Sequence, residues 1–338
     1  MNAKLKSLLC GAAVAAFVIA PSVSGFGQTS APHAPSAPPA PQLPPPPPAA
    51  PYDGNEWTRV PARSFSAQNV KLEDIVGTII VAVRDSGPMT VEISGSHSRV
   101  AATRISQDDG QLDIEGLSYE EDSKSVWDWR NWFNFKDANH TASGDLFVKV
   151  TVPRGTDVNV QDLVGDAYIG DTMGNLRFEA AVSKAKIGHV SKAKIELGGT
   201  GRIDIAGVTG ELSIDMGGSG KITAGSAGSV KADIAGSGDV QFGNIAGGLS
   251  LDIAGSGDAT AAHVNGPVHL AIAGSGTVRI ADGIADPLHV DIMGAGNLYF
   301  GGVAVDPHID AMGSGTVHLK AYRGKLNSEG MADVKIGD

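Results

Sequence analysis

The chain has one cysteine among its 338 residues, Cys10, so neither an intramolecular disulfide nor a thiolate metal cage can hold it together. Aromatic residues make up only 5% of it. Basic residues do not predominate either: 26 Lys and Arg face 37 Asp and Glu, for a formal charge of −11. That balance argues against a protein whose main partner is a nucleic-acid backbone, which calls for clustered cations. No apolar run reaches the ~20 residues that a membrane-spanning helix needs. What the chain does have is 45 glycines and a hydrophobic fraction of 42%, enough for a real core and too much for general disorder.

The first residues read as an export signal, residues 1–27. Lys4 and Lys6 precede an apolar run from Leu8 to Ala20, followed by Pro21 and small residues suited to cleavage after Gly27 or Ser24. Cys10 lies inside that run, which does not fit a lipoprotein site. After cleavage no membrane-spanning segment is expected, and the mature chain belongs in the periplasm, on the cell surface or outside the cell. Residues 28–56 form a linker with eleven prolines between Ala31 and Pro51, including the unbroken run Pro44 to Pro48. Such a segment favours polyproline II and excludes helix and internal strand. It serves as a stalk or as a plain solvated spacer.

Residues 57–160 read as a β module of short alternating runs: Thr78 to Val83, Thr90 to Ile93, Gln111 to Ile114 and Leu146 to Val150. Gly and Asp-Gly punctuate them, and long helical periodicity is absent. Within this module Trp127, Trp129, Trp132, Phe133 and Phe135 crowd into nine residues. Periodicity there fits strand or helix. The cluster is either a partner-binding surface for a glycan, headgroup layer or protein, or a cap folded over an open end of the β core.

Residues 161–338 are a repeat. Gly-Ser-Gly or a near variant begins at Gly199, Gly218, Gly236, Gly255, Gly274, Gly294 and Gly313, at intervals of 18 to 20 residues, with a degenerate copy at Gly330. Aligning the copies gives apolar columns four and two residues before that glycine, such as Leu251 and Ile253, and four and six after it, such as Val278 and Ile280. Each copy therefore holds two short strands of inward residues joined by a glycine bend. Stacking of such units predicts a parallel β-helix, about eight coils at ~19 residues each. A propeller blade would need about twice the length per unit.

Three residues before the glycine stands a column of outward acids: Asp215, Asp233, Asp252, Asp291 and Asp310, with Glu196 before them and Ala271 interrupting. Stacked carboxylates repel, and three compensations are open: a cation such as Ca²⁺, backbone N–H groups of the bend, or the adjacent column, which carries Lys194, Lys231, His269, His289 and His308. The three histidines could also hold a transition metal or respond to pH. No resident cofactor is expected. The glycines belong to the repeat, so none of them signals a nucleotide loop.

The unit Leu251-Asp252-Ile253-Ala254-Gly255-Ser256-Gly257-Asp258, with its copies at Gly236 and Gly274, resembles the auto-transporter adhesin head GIN-domain family. The stretch Val148 to Pro153 followed by Leu163 to Ile169 is similar to related adhesin-like solenoids. The resemblance implies a right-handed β-helix exported to the envelope. No membrane barrel follows the last coil, so self-secretion is not expected. The chain thus reads as an all-β, non-enzymatic envelope or surface protein that binds a glycan or protein partner or serves as a structural element. The alternatives are a polysaccharide-processing β-helix enzyme and an architectural spacer without a ligand. An enzyme would need non-repeating charged residues in a groove, whereas the charges here recur evenly.

Overall fold

The structure, a computed structural model, describes residues 57–117, 146–330 and 333–337. The signal-like segment, the proline-rich segment and the Trp127–Phe135 cluster lie outside the described residues. All strands belong to one 21-stranded sheet that winds into a β-solenoid of about nine turns.

The sheet begins with β1 (Trp57–Phe65), β2 (Asn69–Glu73), β3 (Val76–Arg84) and β4 (Met89–Ser96). A short helix follows, α1 (His97–Ala102), and then β5 (Arg104–Asp108), β6 (Gln111–Glu115) and β7 (Leu146–Pro153). The helix has no counterpart in the sequence reading, because six residues carry too little periodicity to stand out. Antiparallel pairing is confined to this end: β4 lies between β1 and β7, and β5 pairs β6. β2 and β3 are different. They pair in parallel with successive parts of β8 (Asp157–Ile169), Leu72 beside Val160 and Ile79 beside Ala167. They form a rung of their own, stacked on the rung that β8 makes.

From β8 onward every strand pairing among the described residues is parallel. β9 (Asn175–Val190), β10 (Lys192–Met216) and β11 (Lys221–Gly236) bend around corners without breaking, so each contributes to more than one side of a rung. Shorter strands follow: β12 (Asp239–Ile245), β13 (Leu249–Gly255), β14 (Asp258–Gly274), β15 (Thr277–Ile280), β16 (Gly283–Gly294) and β17 (Asn297–Val305). β18 (His308–Gly313), β19 (Thr316–Arg323), β20 (Asn327–Gly330) and β21 (Asp333–Ile336) complete the order. The turns outnumber the glycine motifs because the rungs of β8 and β9 stack without a Gly-Ser-Gly corner.

Period two puts alternate residues inside. The four aligned apolar columns, from Ile195 and Leu197 through Val317 and Leu319, are all buried. Within one column the sizes are matched between rungs. Phe242 lies between Ala224 and Ala261, and Ile280 follows, then Phe300. Small residues on either side make room for the ring, and close packing of this kind gives the core its density.

The corners depend on glycine. Gly236, Gly255, Gly274, Gly294 and Gly313 have φ from +120° to +138°, a region that side chains avoid. Each also lies against the carbonyl of the glycine one rung earlier, where a Cβ would overlap the oxygen. That same carbonyl accepts the N–H of the residue after the next rung's glycine: Ser256 to Gly236 at 2.9 Å, Ser275 to Gly255 at 2.9 Å. At other corners a side chain takes this role. Asp258, Asp306, Asp157 and Asp171 accept the backbone N–H of Thr277, Lys325, Asn175 and His189, at 2.7 to 2.9 Å.

Candidate functional site

The strands that run into each glycine corner build one outer face from three columns. The acidic column is in register from rung to rung: Asp215 beside Asp233, Asp233 beside Asp252, Asp291 beside Asp310, with Ala271 between Asp252 and Asp291. On one side runs the column of Lys231, Ser250, His269, His289 and His308. On the other run Ala235, Ala254, Ala273, Met293 and Met312. The two methionines are 62% and 73% exposed, a large apolar surface left in water at one end of a row of alanines. Between the acidic and alanine columns lies a shallow groove of about 260 Å³, lined by Asp215, Asp233, Asp252, Ala254, Asp291 and Met293.

The sequence leaves three ways to compensate the stacked acids, and the geometry favours the neighbouring column. Lys231 Nζ lies 3.4 Å from Asp233, and His308 Nε2 lies 3.4 Å from Asp310. Towards the N-terminal end Glu196 is held by Lys194 at 2.6 Å and Arg177 at 3.2 Å. The bond from Lys194, followed by the charge of Arg177, keeps the Glu196 carboxyl below the usual glutamate range in spite of burial. Asp252 behaves in the opposite way. Burial comes first, then the hydrogen bond and charge of Asp233, and together they outweigh Lys231 and raise its pKa. The N–H groups of the bends are already bonded to glycine carbonyls of the preceding rung.

The histidine column stacks as the register requires. His269 and His289 have ring centroids 5.1 Å apart at an interplanar angle of 27°, and His289 and His308 are 5.8 Å apart at 58°. The Nδ1 of His289 and the Oδ1 of Asp310 are shielded atoms without a hydrogen-bond partner. Among the described residues, no group of three or more His, Asp or Glu side chains is gathered as a metal site. The five column aspartates form a line along the rungs, broken by Ala271, and do not converge on one point.

The opposite flank of each corner carries two further outward columns that the sequence reading did not align. One carries Asp166, Lys184, Arg202 and Lys221 on successive rungs, and the other Tyr168, Lys186, Asp204 and Thr223. Their signal was available, since residues 184, 202 and 221 keep the repeat interval one position before the inward column.

The molecule is a β-solenoid repeat protein whose sides present unlike, evenly spaced columns of groups to solvent. It belongs to the family described as "Putative auto-transporter adhesin, head GIN domain", whose model matches residues 71–283. Among solved structures it is similar to a "putative adhesin" from Parabacteroides distasonis (15% identity, TM-score 0.34, covering 83% of this chain and 97% of that one). It is also similar to a "putative lipid binding protein" from the same organism (15%, 0.35, 85% and 96%) and to a "putative adhesin" from Parabacteroides merdae (13%, 0.37, 83% and 97%). No curated protein matches the chain. Among the described residues, no helix is long and apolar enough to cross a membrane.

Proposed function

We propose that this protein is a non-enzymatic, exported envelope or surface protein that engages a macromolecular partner, a glycan or a protein, through an outer face of its solenoid. Residues 1–27 direct export and residues 28–56 hold the folded part, residues 57–338, away from its point of departure. The observation that carries the reading is the groove between the acidic and alanine columns. It continues across neighbouring rungs, has an apolar floor with carboxylates along one edge, and ends at the exposed Met293. A linear segment laid along it meets a carboxylate at every rung but that of Ala271, which suits recognition of an extended polymer better than of a small compact molecule. Family membership supports the adhesin-like assignment.

The test is a substitution that fills the groove from an exposed position. Ala254→Arg places a long side chain across it without touching the core. The full chain should bind isolated envelope fractions saturably, and the variant should lose at least ten-fold in affinity at an unchanged melting temperature. Wild-type binding by the variant would remove the groove from the proposal.

A further inference from the structure

On the other side of the glycine corner, three cations occupy one outward column on three successive rungs. Lys184 is in register with Arg202, and Arg202 with Lys221. Lys186 stands two residues on from Lys184, on the same side of the strand. Lys184, Lys186 and Arg202 are exposed and Lys221 is half-buried. None of the four makes an ion pair among the described residues, although Lys71, Lys149, Arg177, Lys194 and Lys231 all do. Acids border the stripe: Asp166 is in register with Lys184, Asp204 with Lys186 and Asp239 with Lys221. None of them closes on a cation.

Stacked like charges at the ~4.8 Å rung spacing repel by somewhat under 1 kcal/mol per pair in water. The fold does not need them there, because Ala185, Ile203 and Ile222 beside them, pointing inward, hold the rungs together. The chain has an excess of acid, and on the first face Arg177, Lys194 and Lys231 are each paired, so a ladder of cations on successive rungs without an ion pair is a feature directed at something outside the molecule. The column beyond it supplies the second half of the chemistry. Past Asp204 it continues as Thr223, Gln241 and Thr260 on consecutive rungs, hydroxyl and amide groups that donate and accept hydrogen bonds without charge. Cations followed by neutral hydrogen-bonding groups complement a polymer that carries both anionic groups and many hydroxyls.

We propose that Lys184, Lys186, Arg202 and Lys221 form a binding stripe for a linear acidic polysaccharide lying along the solenoid, its carboxylates on the cations and its hydroxyls on Thr223, Gln241 and Thr260. The stripe is separate from the groove, so the two stand or fall independently.

The experiment titrates the full chain with polygalacturonate, with neutral dextran of similar length and with duplex DNA, over a series of salt concentrations. Polygalacturonate should bind most tightly and weaken as salt rises. The triple variant Lys184→Ser, Arg202→Ser, Lys221→Ser should raise Kd at least ten-fold. Its salt slope should fall by about two to three, one counterion term for each cation removed. Lys184→Arg with Lys221→Arg should keep the binding, and Ala254→Arg in the groove should leave it intact. A melting temperature of the serine variant at or above wild type excludes unfolding as the cause. Equal binding of dextran and polygalacturonate, an unchanged Kd for the serine variant, or tighter binding of duplex DNA through the same residues would each overturn the proposal.

Discussion

Asp252 stands one rung from Asp233, and the two carboxyls are joined by a side-chain hydrogen bond that favours the protonated form of Asp252. A carboxyl whose folded pKa is raised costs nothing at low pH, where it is protonated in both states. Its penalty grows as pH rises above the unfolded value near ~3.9 and is complete above the folded pKa. Asp252→Asn should therefore stabilise the solenoid at pH 7 by ~0.5 kcal/mol, a value reduced for solvent screening at this exposed site. The gain should vanish near pH 3, and thermal melts across that range read it directly.

Asp171 should show the reverse dependence. Burial would raise its pKa, but the N–H of His189 at 2.7 Å, and then the His189 ring at 2.9 Å, hold it below the ordinary aspartate value. Its contribution is present above the unfolded pKa and is lost as pH falls through the folded one. Asp171→Ala should cost about 1 kcal/mol at pH 7, mostly for the unpartnered N–H of His189. The gap between wild type and variant should narrow in acid without closing, as denaturant midpoints at pH 7 and pH 3 would report.

Gly274→Ala should be among the more damaging substitutions outside the core. The added methyl meets the Gly255 carbonyl, and φ of +138° is itself unfavourable for alanine. A loss of about 2–4 kcal/mol is expected. Ser275→Ala, at the same corner, should change stability by less than ~0.5 kcal/mol, since only the Ser275 backbone N–H is used in the stacking.

Phe242→Ala should cost about 3–5 kcal/mol, towards the upper end for its type. The neighbours that would have to collapse into the space are Ala224 and Ala261, which have no side chain to extend. Denaturant unfolding gives the value, and a compensating Ala261→Leu should recover part of it.

The corner spacing made the solenoid legible in the sequence, because each rung repeats the same physical problem and solves it with the same residues. Once Gly255 and Gly274 are aligned, Leu251 and Leu270 fall into one buried column with no further assumption. Where the repeat weakens, legibility goes with it. Nothing local in Val76–Arg84 shows that Ile79 will lie beside Ala167, a pairing that spans more than eighty residues and whose corner, Gly77 against Gly165, lacks the Gly-Ser-Gly signature. The candidate sites were legible only in part. The acidic and histidine columns follow from register, whereas the pKa of Asp252 depends on its burial and on the approach of Asp233, which spacing alone does not fix.

The glycine corners have one more consequence. Because consecutive corners are superimposable, residues 255–273 could be cut out to join Ala254 to Gly274 with every inward column still continuous. The solenoid is then a ruler with whole-number divisions. Its length, and the number of corners it carries, change one coil at a time. Related chains can differ in reach by entire coils while keeping the same cross-section.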